Sequence, residues 1–197
     1  MMDDALDAIA ALAARYIVEE DLDHARAKRK AARSLGAEGA GLPSEAQIEA
    51  AVAEHLAIFH ADTQPAELAA LRALALVWME RLADFRPMLL GAVWRGTATR
   101  RSDIQLALYC EDGKACEIEL LNQGLRYELG QHQGPRGTPV DVLRLMLPCP
   151  ALGERVGLQL HILDRDDVRG ALIPDRQGRS DRGDAAALRR LIDTAAP

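Results

Sequence analysis

The stretch from Gly91 to Leu106 reads GAVWRGTATRRSDIQL, a polar turn joining two apolar segments. Upstream, Met88 to Trp94 is a short apolar run; downstream, Asp103 to Cys110 alternates, with Ile104, Leu106 and Leu108 on one face. Both are predicted strands. Pro87 forces extended backbone ahead of the first strand and ends a preceding helix. That helix is predicted from an Asp62 or Thr63 cap, with Pro65 in its first turn and Leu68, Leu71, Leu74, Ala75, Trp78 and Leu82 as its buried face.

Earlier still, Ser44 and Gln47 form a capping-box pattern ahead of Ile48, Val52, Leu56 and Phe59, a helix expected to stop near His60. From Asp3 to Leu35 the apolar residues recur at three- and four-residue steps, giving one long helix or two short ones, ended by Gly36, Gly39, Gly41 and Pro43. Beyond Cys110 a helix is predicted over Gly113 to Gly124, with Ile118 and Leu121 as core candidates. Strands follow at Arg126 to Gln131, Val140 to Leu147 and Val156 to Asp164, with a Gly- and Pro-rich hairpin loop from Gln131 to Pro139. Arg165 to Gly183 reads as a mobile polar surface segment, and Ala185 to Ala195 as a last helix. Helices first and strands later, with a helix between strands, give an α+β class. The expected division is an N-terminal helical extension over 1–62, a core over 63–170, and the mobile segment with the last helix over 171–197.

The chain has 197 residues, 49% hydrophobic and 27% charged, as an ordinary globular protein does. A net charge of −6 argues against wholesale binding of nucleic acid or an anionic membrane. Cys110, Cys116 and Cys149 are odd in number and lack CxxC spacing, so they suggest neither a disulfide framework nor a structural zinc site. The acidic start MMDDALDAIAALAARY is unlike a secretory signal, and no run approaches the roughly 20 apolar residues that span a bilayer. The expectation is a cytoplasmic protein.

The chemistry concentrates in the opening stretch. A glycine at a strand end lets backbone N–H groups approach a triphosphate, and an adjacent hydroxyl adds a donor. Two carboxylates at i and i+2 of a strand project from one face and hold magnesium against phosphates, and two metals stabilise both oxygens of an in-line displacement. The chain offers Gly91-Ala92, Arg95-Gly96, Ala98-Thr99 and Ser102-Asp103-Ile104-Gln105-Leu106 in that order. In this arrangement it resembles the polymerase-beta-like nucleotidyltransferases of the minimal type. There a strand ends in Gly-Ser, a turn carries Arg-Gly, and a second strand opens with Ser-Asp-hydrophobic-Asp-hydrophobic.

The resemblance implies a mixed β-sheet flanked by helices, with an N-terminal helical extension. It implies Asp103 as the catalytic residue, and Gly91, Ala92, Arg95, Gly96, Ser102 and Gln105 around the nucleotide. The implied cofactors are Mg2+ and a nucleoside triphosphate. It also implies a third acid from a neighbouring strand, for which Glu128, Asp141 and Asp164 are the candidates, with Asp103 and Glu128 taken as the metal pair. Two positions depart from the pattern: Gln105 stands where the second carboxylate belongs, and Ala92 replaces the serine. A neutral amide binds magnesium poorly. The expectation is therefore impaired catalysis in a cleft kept for a nucleotide or a protein partner. The alternatives are an active transferase moving a nucleoside monophosphate to a small-molecule or protein hydroxyl, and an interaction module held by the N-terminal helices.

Other signals have plainer readings. Arg26, Arg29, Lys30 and Arg33 line one side of a helix, but no aromatic residues interleave for base stacking, and Glu19, Glu20, Asp21 and Asp23 precede them, so an ion-paired solvated face is expected. His55 and His60 lie five apart, off the spacing that pairs imidazoles on a metal. Arg100 and Arg101 are read as turn residues in the loop before Asp103.

Overall fold

In the computed structural model, which describes residues 2–134, 137–168 and 180–195, the first apolar stripe is two helices, α1 (Met2–Glu20) and α2 (His24–Ser34). The break falls at Asp21, whose φ of 55° is outside the helical range, and Asp23 restarts the helix by accepting a hydrogen bond from the Arg26 N–H at 2.8 Å. The Ser44–Gln47 capping box forms in full and opens α3 (Glu45–Phe59). Ile9, Ala13 and Val18 of α1, Ala27 and Ala31 of α2, and Ile48, Val52 and Leu56 of α3 make one core. Three of the four residues on the basic side of α2 are ion-paired: Arg26 with Asp23 at 3.2 Å, Lys30 with Glu20 at 2.5 Å and Arg33 with Glu38 at 3.5 Å.

The chain divides into two compact units, Met1–Pro65 and Ala66–Pro197, with the division inside the first turn of α4 (Gln64–Arg81). The second unit holds a six-stranded mixed sheet in the order β3-β4-β5-β2-β1-β6. Its strands are β1 (Met88–Leu90), β2 (Ile104–Cys110), β3 (Glu128–Gln133), β4 (Pro139–Cys149), β5 (Glu154–Asp164) and β6 (Arg182–Gly183). β2 runs parallel to β5 and every other neighbouring pair is antiparallel. The α+β class is thus observed, with seven α-helices among the described residues.

Strand alternation divides the sheet into two faces. Ile104, Leu106 and Leu108 of β2, Leu143, Leu145 and Leu147 of β4, and Val156, Leu158 and Leu160 of β5 pack with Leu71, Trp78 and Met79 of α4. Cys116 and Leu120 of α6 (Gly113–Asn122) and Leu188 of α7 (Ala185–Ala195) join them. A leucine so buried contributes about 1.5–3 kcal/mol. The opposite face carries the polar residues that matter below.

Three expectations are corrected. Met88 to Trp94 is not one strand: β1 stops at Leu90, and a single helical turn, α5 (Gly91–Arg95), follows. Gly91 takes φ of 74° at the break, and Gly96, at 88°, ends the turn by donating its N–H to the Ala92 carbonyl. In α6 the buried pair is Cys116 and Leu120, four residues apart on the face that joins the sheet's core, while Ile118 and Leu121 lie off that face and are exposed. The expected mobile segment contains β6, and Ser180 is anchored where its carbonyl accepts the Trp94 indole N–H at 2.7 Å. The remainder of that segment, 169–179, lies outside the described residues.

Candidate functional site

On the polar face the register lines up side chains in rows across the sheet. One row runs Glu128 (β3), Arg144 (β4), Gln159 (β5), Gln105 (β2), Leu90 (β1) and Arg182 (β6). One step toward the β2 entrance, Asp103 lies over Gly157, whose missing side chain leaves room for the carboxylate. Asp103 is exposed, and its Oδ2 accepts a 2.6 Å hydrogen bond from Gln159 Nε2. The position beside Gln105 on the parallel strand is therefore a second glutamine, which sequence reading missed. The parallel β2–β5 pairing that places it there has no local sequence signal.

The glycine turn is built around these residues. A Cβ on Gly91 would lie 3.2 Å from both Cδ and Oε1 of Gln105, so the carboxamide rests directly against the end of β1. Ala92 is half-buried against the core and Arg95 is exposed. The C-terminal carbonyls of α5 are satisfied from α4: Arg72 donates to the Val93 carbonyl at 3.2 Å and to the Trp94 carbonyl at 3.3 Å, and burial pushes its guanidinium pKa down. Ser102 Oγ accepts from the Thr99 N–H at 3.0 Å, closing the turn before Asp103. Arg100 is committed to Glu154 at 2.9 Å, a hydrogen bond that pulls the Glu154 carboxyl below its usual range.

Of the three acids expected to complete a metal site, Glu128 shares a cleft with Asp103, and Asp141 and Asp164 lie elsewhere. Glu128 is three strand spacings from β2, about 14 Å. Asp141 points to the other face and accepts from Gln131 Nε2 at 3.0 Å. Asp164 pairs with Cys110 at the far end of β2, about 23 Å along the strand from Asp103. There it caps the one-turn helix Arg165–Asp167 through the Asp166 N–H.

Where the 124–127 segment departs from β4, a cleft of about 680 Å³ opens, within the range that encloses small ligands. Asp103 and Glu128 line it together with Arg126, Arg144 and Arg155. Arg155 donates to the Met146 carbonyl at 2.6 Å. The charge balance of the lining is one positive. Magnesium fits this donor set poorly: Asp103 stands between two carboxamides and accepts an amide N–H, the second carboxylate of the cleft, Glu128, is about 14 Å away across the sheet, and three guanidinium groups line the same cleft. The same guanidinium groups present forked donors suited to phosphate or carboxylate oxygens.

Compared with family models, curated proteins and solved structures, the chain matches none of them.

Proposed function

We propose that the Ala66–Pro197 unit is a nucleotidyltransferase-like binding module. It holds a nucleoside triphosphate or similar polyphosphate in the Asp103 cleft and has lost efficient nucleotidyl transfer. The order of strand, glycine turn, strand opening on Ser102-Asp103, helix and a strand parallel to β2 supports the ancestry. The observation that carries the loss is the trio Asp103, Gln105 and Gln159. Both places adjoining Asp103 where another carboxylate would complete a metal site hold neutral amides. Arg126, Arg144 and Arg155 then supply the positive charge that magnesium supplies in an active transferase.

Calorimetric titration of ATP into the wild type and into Arg144→Gln and Arg155→Gln tests this reading. Each charge-assisted contact to phosphate is worth about 1.5–3 kcal/mol, so each variant weakens binding by about 10- to 100-fold. Absence of ATP binding at millimolar concentration, or affinities indifferent to both substitutions, contradicts it.

A further inference from the structure

A second cavity, of about 330 Å³, lies on the same sheet face and shares no lining residue with the Asp103 cleft. Its walls are Leu90, Ala107, Val140 and Leu163, and its polar groups are His132, His161 and Arg182. His161 is 7% exposed, and its Nε2 has no hydrogen-bond partner. Buried polar nitrogens are almost always paired, and this unpaired one belongs to a residue of the cavity wall. The exposed His132 ring stands edge-on to it, with centroids 5.4 Å apart. Arg182 reaches over the apolar floor and donates from Nη1 to Tyr109 Oη at 3.0 Å, which fixes its guanidinium at the cavity.

We infer that this cavity binds a small organic monocarboxylate carried on a branched aliphatic or single-ring body. The apolar walls accept the body, Arg182 meets the charge, and the buried His161 imidazole lies in the wall beside the bound carboxylate. Burial, and after it the neighbouring His132, Arg144 and Arg182, together push the His161 pKa down to about 4, so the imidazole is neutral at pH 7. Arg182 is the one permanent charge among the described lining residues, and it matches one negative charge. The volume admits a ligand the size of benzoate or isovalerate and is small for a nucleotide.

The test titrates benzoate and isovalerate, with benzamide as the neutral control, into the full chain at pH 7.5. Imidazole ¹⁵N–¹H correlation spectra provide the readout. Saturable shifts of the His161 resonances are expected, with benzamide at least about tenfold weaker and Arg182→Gln reducing benzoate affinity by a similar factor. The thermal midpoint of Arg182→Gln, measured alongside, establishes that the variant is folded. Saturating ATP leaves the benzoate shifts in place, which separates this site from the Asp103 cleft. Absence of a saturable His161 shift up to about 20 mM, weaker than the roughly millimolar class, overturns the inference. So does equal binding of benzamide, or undiminished binding by folded Arg182→Gln.

Discussion

Gly91→Ala probes the turn on which the site is built. An L-residue in the left-handed region that Gly91 occupies costs about 1–2 kcal/mol. The new Cβ also meets Gln105 Cδ and Oε1 at 3.2 Å, tighter than ordinary contact, so the half-buried carboxamide must leave its rotamer at a further cost of about 0.5–1.5 kcal/mol. The unfolded alanine chain is less free than the glycine chain, which offsets about 0.4–1 kcal/mol. The net expectation is a loss of about 1–2.5 kcal/mol. Both tryptophans, Trp78 and Trp94, lie in the second unit, so urea denaturation followed by tryptophan fluorescence reports on that unit alone. Combining Gly91→Ala with Gln105→Ala removes the contact and keeps the backbone strain. The double variant should therefore recover about 0.5–1 kcal/mol relative to additivity. A Gly91→Ala loss under about 0.3 kcal/mol, less than any of the separate terms, refutes the turn geometry. Perfect additivity refutes the Gln105 contact.

Two further outcomes follow from buried groups. Burial raises the Cys116 thiol to about 12, so at pH 8 a thiol-specific disulfide reagent should label it at least about a thousandfold more slowly than an exposed cysteine, and readily only after unfolding. Native labelling of Cys116 at the exposed rate, mapped by mass spectrometry, contradicts the packing of α6. His161 titrates near 4 in the fold against 6.5 for a free imidazole, so between those values the unfolded chain binds the extra proton and stability falls as pH drops. By pH 5 the loss at this group is about 2 kcal/mol, and urea unfolding of His161→Leu should lack that part of the pH dependence. An unchanged slope in the variant places the proton uptake elsewhere.

How much of this was readable in advance depends on whether the signal was local. The Ser44–Gln47 box, the helical stripes and the alternation of β2 are properties of neighbouring residues, and they appear with nearly the expected boundaries. The failures are those of context. Met88 to Trp94 is apolar throughout and looks like one strand, yet the positive φ at Gly91 turns half of it into α5. Arg182 and Gly183 sit in a polar stretch and become a strand because β1 offers them an edge. At the site, Asp103, Gln105 and Gly91 were identified from the motif, but their surroundings depended on pairing over long sequence separations. Gln159 arrives through the parallel β5, Arg144 through the β4 register, and Arg72 from α4. The choice among Glu128, Asp141 and Asp164 needed strand order, which periodicity does not encode.

The most direct measurement is the affinity for ATP in excess EDTA compared with excess magnesium, with release of pyrophosphate monitored in the same samples. Binding held by Arg126, Arg144 and Arg155 should persist in EDTA with an affinity within about threefold of that in magnesium, a difference under 1 kcal/mol. It should weaken with added salt, and pyrophosphate should not be released in either condition. Binding that requires magnesium, with pyrophosphate release abolished by Asp103→Ala, would establish a working metal site and contradict the proposed loss of catalysis.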